Sequence, residues 1–230
     1  MQTTKRLRFP IEVILVCIRW YAAYPLSYRH IEEMMEERGV CVDHSSINRW
    51  SIRFLPMLEK VFRQHKRQVG TSWRMDETYI KVKGVWKYLY RAVDKEGKTI
   101  DFLLTAKRDK AAAMRFFDKA MQANGIPEKV TMDKSGANKS AIDEINDAMD
   151  VPMLIRQVKY LNNIVEQDHR AVKRITKPML GFKSFHAAKS ILAGIELMHM
   201  IRKGQSYLAG SEDMSFADQF YALAGQIRSV

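Results

Sequence analysis

The sequence predicts an α/β protein, with a helical N-terminal region followed by a segment in which strands and helices alternate. Three observations predict it. Up to about residue 68 apolar residues recur at helical spacing, punctuated by Ser27, Gly39 and Asp43. From about Thr71 the pattern turns strand-like, with Lys83-Gly84 and Glu96-Gly97 as short links. Beyond Asp109, helical and strand-like runs take turns.

Each element has a local reason. Pro10 suits the first turn of a buried helix that runs from Ile11. Ser27 caps a second helix, whose apolar face is Tyr28, Ile31, Met34 and Met35, and Gly39 ends it. Asp43 caps a third, with Ile47, Trp50 and Phe54 as its buried stripe. Arg63 to Arg67 reads as a linker or a phosphate-contacting helix end. Three strands are expected over 72–82, 85–94 and 99–106, with Trp86, Tyr88 and Tyr90 alternating along one face of the second. Asp109 caps the next helix, which ends near Asn124-Gly125. A strand over 129–133, a helix over 138–149, a strand over 153–157 and a helix over 163–176 follow, the last closed by Pro178. Ser184 opens a long helix to about Lys203. The expected order from Thr71 is β-β-β-α-β-α-β-α. The domains read as 1–68, 69–204 and a tail over 205–230, to which no role is assigned.

The second and third helices, joined by a short Gly-containing link, suit a helix-turn-helix. In that motif the second helix offers its N-terminal residues to base edges in the major groove. Ser45, Ser46, Asn48, Arg49 and Arg53 lie there, and Asn and Arg have the donor geometry for adenine and guanine. An ordinary helical hairpin with a solvated polar face is an equal reading of this segment alone.

The 230 residues carry 38 Lys/Arg against 26 Asp/Glu, a formal net charge of +12. That surplus favours a polyanionic partner, most often nucleic acid. Half of it falls between Arg156 and Lys189. The two cysteines, Cys17 and Cys41, form no bridge framework and point to a reducing cytoplasm. The most apolar run, Ile11 to Tyr24, holds Glu12 and Arg19 and is too short to span a bilayer. No membrane partner is expected.

Within this basic chain three acids occupy positions that aim at one point: Asp76 in the first strand, Asp133 at the end of the fourth, and Glu166 opening a basic helix. Converging carboxylates repel unless a cation joins them, and hard divalent cations such as Mg2+ take oxygen ligands. Two such ions, about 3.5–4 Å apart, clamp the attacking and leaving oxygens of a phosphoryl transfer. At 100° per residue Glu166, His169, Arg170 and Lys173 share one row of their helix, while Ile164, Val165, Ala171, Val172 and Ile175 share the apolar arc. With the other two acids, Glu166 is the candidate metal ligand of that row and Lys173 its phosphate contact, with Arg170 and Arg174 as further candidate DNA contacts; taken alone, the row reads as a solvated face with i,i+4 charge pairing. His169 is a lesser candidate for orienting substrate or a metal-bound carboxylate, the alternative being a plain neighbour of the acid one turn away. Asp168 falls within the apolar arc, where it needs a buried partner.

These residues resemble the DDE transposases of bacterial insertion sequences, most closely the insertion-sequence-six group. The matching stretches are Trp73 to Tyr79, Tyr88 to Asp94, Thr131 to Lys134, Lys159-Tyr160 through Glu166 to His169, and Gly181 to Ser184. Tyr28-Arg29, Arg38-Gly39-Val40 and Asp43-His44-Ser45 resemble the group too. The spacings of 57 residues from Asp76 to Asp133 and 33 from Asp133 to Glu166, with Lys173 seven beyond, complete its signature. One departure stands at Asn163, where related elements carry Arg shortly after the Tyr that Tyr160 matches. Tyr160 and Asn163 are therefore secondary candidates for DNA contact. Other acids (Glu77, Asp94, Asp101, Asp109, Asp143 and Glu144) fit turn, cap or surface roles better.

The resemblance implies a ribonuclease-H-like core with a mixed five-stranded sheet. It implies catalytic Asp76, Asp133, Glu166 and Lys173, with two Mg2+ held by the three acids and Mn2+ as a substitute. It also implies double-stranded DNA partners (terminal inverted repeats and target), a homodimer or larger assembly, and replicative, cointegrate-type strand transfer in the bacterial cytoplasm at the nucleoid. A DNA-binding regulator with an inactive core, and a nuclease that cuts without joining, are the competing readings.

Overall fold

The computed structural model describes residues 9–158, 163–207 and 210–227. They form two compact units, one of residues 1–67 with 172–230 and one of residues 68–171.

The first unit is helical. Helix α1 (Ile11–Ala23) follows Pro10, α2 (Tyr28–Glu36) follows Ser27, and α3 (His44–Gln64) follows Asp43. The Ser27 hydroxyl accepts from the His30 backbone N–H, and Asp43 Oδ1 accepts from that of Ser45 at 2.8 Å. These contacts satisfy donors that the first helical turn leaves unpaired. Gly39 adopts φ +73°, the left-handed conformation that ends α2 at low cost. Helix α7 (Phe185–Arg202) is capped by Ser184 and packs on α1 and α3, and α8 (Phe216–Ile227) packs on α3 and α7. Ile14, Ile18, Ile47, Leu55, Leu58 and Leu197 are buried in this unit. Arg63 to Arg67 is tied to the C-terminal segment: Lys66 bridges Ser206, and Arg67 donates to the Ser206 carbonyl and pairs with Glu212. The described residues from Val172 onward group with this unit. Helix α7, most of which is buried, has its neighbours among α1, α3 and α8.

The second unit is built on a five-stranded mixed sheet. Strands β1 (Ser72–Val82), β2 (Val85–Asp94) and β3 (Thr99–Thr105) form an antiparallel meander. Strand β4 (Lys129–Met132) pairs parallel to β1, and β5 (Leu154–Gln157) pairs parallel to β4. The order β3-β2-β1-β4-β5 is the ribonuclease-H-like arrangement that the resemblance implies. Helix α4 (Lys110–Asn124) packs on β3 and on α5 (Gly136–Asp147). Its buried face of Ala112, Ala113, Phe116, Phe117 and Ala120 joins Trp73, Met75, Tyr90, Val130 and Ile142 in the core.

Helix α6 (Asn163–Thr176) starts in the second unit and ends in the first. Within the second unit the Arg91 guanidinium pairs with Asp168 and the His169 ring meets Asp76. The sequence set His169 on the outer row with Glu166. Instead its ring is buried beside Asp168, while Glu166 and Arg170 are exposed.

Candidate active site

Strand register brings the two aspartates together. Arg74 on β1 pairs with Thr131 on β4, and the strands run parallel. Asp76 and Asp133 each stand two residues beyond that pair, so they leave the sheet at the same level. Asp133 ends β4, where its Oδ1 accepts from the Ser135 N–H at 3.1 Å and turns the chain into α5.

Alternation along β1 sends neighbouring side chains to opposite faces. Asp76 meets α6, with His169 Nε2 at 3.3 Å from its Oδ2. Glu77 meets α5, where Asn138 Nδ2 donates to its Oε1 at 2.9 Å. Carboxylate oxygens of Asp76, Glu77 and Asp133 nevertheless lie within 4.8 Å of one another. Three acids this close need a counter-charge. Arg108, in the loop before α4, provides one: its guanidinium donates to both Glu77 oxygens and to Asp133 Oδ2, each at 3.2 Å. Burial pushes the Glu77 carboxyl above the usual range, against the opposing pull of Asn138 and Arg108. All-oxygen donors at this spacing suit a hard divalent cation, so the residues fit such an ion.

Glu166 lies in the first turn of α6, exposed, one turn before His169. Among the described residues the close acidic group is Asp76, Glu77 and Asp133, and Glu166 stands outside it. Lys173 and Arg174 are exposed on later turns of α6, and Asn163 is exposed at its start. Tyr160 and Lys159 lie outside the described residues. Sequence reasoning assigned Glu77 to the turn and surface acids. The structure corrects this: the Glu77 side chain is withdrawn from solvent and belongs to the cluster. Arg108 and Asn138 were missed as well. A pair of adjacent acids in mid-strand was the available signal for Glu77, because strand interiors seldom carry two charges without a partner.

The competing acids have ordinary employment. Asp94 accepts from the backbone N–H groups of Gly70, Glu96 and Lys98, and Asp109 caps α4. Asp101 pairs with Lys119, Asp143 with Lys139 and Glu144 with Lys110.

In the helical unit, Ser45, Arg49 and Arg53 are exposed on α3, while Ser46 and Asn48 are half-buried. Arg49 donates to the Ser46 hydroxyl at 3.0 Å, and the Arg53 guanidinium lies 5.2 Å over the Phe54 ring. His44 Nδ1 sits 3.0 Å from Glu32, holding α2 against the start of α3. Ile47 and Phe54 are buried as the periodicity requires, while Trp50 is partly exposed and packs edge-on against Phe9.

The chain is similar to known proteins. A family model described as a DDE domain matches residues 70–205. The transposase for the insertion sequence-like element IS431mec of Staphylococcus aureus is 40% identical over 198 residues, covering 85% of this chain and 87% of the relative. The transposase for the insertion sequence element IS257 in transposon Tn4003, also from Staphylococcus aureus, is 39% identical over the same shares. Among solved structures, the catalytic core domain of HTLV-2 integrase in complex with magnesium aligns with a TM-score of 0.46 at 16% identity, over 58% of this chain and 88% of that one. The catalytic core domain of BIV integrase aligns with a TM-score of 0.42 at 14% identity, over 56% and 83%. By its matched domain and by identity along most of its length, the chain belongs to the DDE transposases of bacterial insertion sequences, in the insertion-sequence-six family.

Proposed function

We propose that this DNA transposase cuts and joins DNA at the pocket of Asp76 and Asp133, with Glu166 as third acid. The observation that carries the reading is the parallel β1–β4 register, which levels the two aspartates and leaves their oxygens within 4.8 Å together with Glu77. The family acts through divalent metal, and Mg2+, with Mn2+ as a substitute, is the ion proposed here. Asp76, Asp133 and Glu166 would hold two such ions. When bound, they supply Lewis acidity at phosphoryl oxygens and lower the pKa of water.

The protein's own groups set the geometry. His169 buttresses Asp76 from α6, and Asn138 orients Glu77. Lys173 offers a point charge to phosphate on the outer row of α6. The chemistry is two displacements at phosphorus. A water oxygen attacks and the P–O3′ bond breaks, leaving a free 3′-hydroxyl. That hydroxyl then attacks a target phosphorus, displacing another 3′-oxygen, which leaves as a hydroxyl after taking, through solvent, the proton the attacking hydroxyl gives up. No covalent enzyme–DNA bond forms. Residues 1–68 would read the terminal inverted repeats through Ser45, Ser46, Asn48, Arg49 and Arg53, and Arg170 and Arg174 would add phosphate contacts. Bringing two ends together requires a homodimer or larger assembly, and joining without excision of the donor gives cointegrates. The setting is the bacterial cytoplasm, at the nucleoid. No helix among the described residues is long and apolar enough to cross a membrane.

The test uses a supercoiled plasmid carrying paired terminal repeats, the full chain and Mg2+. Joined products that vanish in Asp76→Asn and Glu166→Gln support the reading. Nicks without joining would favour a plain nuclease. Joining by Asp76→Asn would remove the pocket from the mechanism.

A further inference from the structure

The hairpin of β1 and β2 extends past the carboxylates and carries an exposed aromatic surface that the proposed reaction leaves unused. Tyr79 is 51% exposed and Trp86 57%. The pairing register sets Tyr79 opposite Tyr88 and Lys81 opposite Trp86, so these four side chains share one face of the sheet. The rings form a group, with Tyr79 centred 5.5 Å from Tyr88 and 6.4 Å from Trp86. Lys81 Nζ lies 5.9 Å from the Trp86 ring centroid.

Cations surround this group. Residues 79–88 hold Lys81, Lys83 and Lys87 and no acid; Lys81 shares the aromatic face and Lys83 stands at the tip, while Lys87, paired with Ile80, faces the other way. Lys83 and Gly84 form the two-residue turn, both at positive φ (50° and 77°). That conformation suits the twist of a hairpin but disfavours a lysine, for which Asn or Gly is the easier choice. The strained position holds an exposed cation at the tip.

The same face leads back to the acidic cluster through Glu77, two residues before Tyr79 along β1. From Glu77 to Lys81 the strand rises roughly 13 Å at about 3.3 Å per residue. A stacked DNA strand rises about 3.4 Å per nucleotide, so the face spans about four nucleotides. Exposed rings interleaved with lysines are the means by which proteins hold unpaired bases, the rings stacking and the cations following the backbone. Bases inside a duplex cannot offer their planes to such a surface.

We propose that Tyr79, Trp86 and Tyr88, flanked by Lys81 and Lys83, form a stacking platform for unpaired DNA next to the cut site. The assignment of this DNA to the cut rests on the transposase reading of the Asp76–Asp133 pocket. The platform holds the strand after it parts from its complement, keeping the end in place between cleavage and joining.

The experiment is binding of a fluorescent oligothymidylate to the full chain, followed by anisotropy and by tryptophan emission. The wild type should bind with quenched emission, and Trp86→Phe should lose the quenching. Trp86→Ala should weaken binding by roughly tenfold or more, the loss of one stacked base. Lys83→Asn keeps a turn-compatible residue and should lower the slope of log affinity against log salt by about 0.7, one phosphate contact on a single strand. Circular dichroism verifies that each variant is folded. Unchanged oligothymidylate affinity in folded Trp86→Ala and Tyr79→Ala proteins would overturn the platform. So would conversion of an oligomer to a monomer by Trp86→Ala with DNA binding intact, because the face would then be a protein interface. The two proposals fail separately. Plasmid joining with binding indifferent to Trp86 removes the platform alone, whereas Trp86-dependent binding without any joining removes the transposition role of the pocket and leaves a single-strand site.

Discussion

Arg91 Nη2 lies 2.8 Å from Asp168 Oδ2, and both side chains are withdrawn from solvent. This pair anchors α6 to the interior strand β2, one residue before the histidine that meets Asp76. It also resolves the awkward place of Asp168 on an apolar arc, since the buried carboxylate has a buried guanidinium as partner. Removing one member strands the other charge. Asp168→Ala should therefore cost on the order of 3–5 kcal/mol in urea unfolding. Replacing both residues with apolar ones of similar volume should recover much of that loss. A single variant as stable as the wild type would mean that the pair does not hold α6.

Asp76→Asn and Asp133→Asn each remove a charged oxygen from the proposed metal site while keeping shape. Strand transfer should fall by roughly 10²–10³-fold, the rate equivalent of several kcal/mol of lost Lewis-acid stabilisation. Duplex binding, measured by mobility shift, should persist. Replacing Mg2+ with Ca2+ should likewise permit binding and suppress cutting; undiminished turnover in Ca2+ would contradict the two-ion scheme.

Arg108 neutralises Glu77 and Asp133 with the charge a cation would bring. A divalent ion must displace it or share the oxygens with it. Arg108→Ala should tighten Mn2+ binding several-fold in a calorimetric titration, since a partly exposed pair of this kind contributes about 1 kcal/mol or less. Weaker Mn2+ binding in the variant would instead assign Arg108 to holding the carboxylates in place.

A Cβ added at Gly194 of α7 would come within 2.5 Å of Leu55 Cδ1 and 2.8 Å of its Cγ. Leu55 is fully buried on α3 and has little room to yield. Gly194→Ala should cost about 1–3 kcal/mol through overpacking, read as a lower unfolding midpoint. An unchanged midpoint would show that the α3–α7 contact adapts freely.

The two thiols should differ in reactivity. Burial pushes Cys17 up to about 11, so its reactive thiolate is scarce at neutral pH, whereas Cys41 is exposed. A thiol reagent should modify one cysteine quickly in the native protein and the second only on unfolding. Two fast reactions would contradict the packing of α1.

Much of this was legible in the residues. The caps Ser27, Asp43, Asp109 and Ser184 all begin helices, because a side-chain oxygen satisfying a free N–H is a local event. Strand limits around Lys83-Gly84 and Glu96-Gly97 were equally local. His169 was misread because a helix has two shoulders beside its apolar stripe, and periodicity does not say which one meets a neighbour. Glu77 was passed over because its significance depends on Asn138 and Arg108, 61 and 31 residues away.

The sequence by itself determined the order of elements, their caps and turns, and the basic character of the chain, which depend on residues near in sequence or on composition, and the family signature, which is read as motifs and their spacing along the chain. Only the tertiary structure decided which side chains share a space: that parallel pairing levels Asp76 with Asp133, that Glu77 joins them under Arg108, and that Asp168 is matched by Arg91. The reason is physical. Caps and strand periods arise from short-range sterics and hydrogen bonds. Charge clusters arise from strand register and helix docking, which are settled by the packing of the whole core.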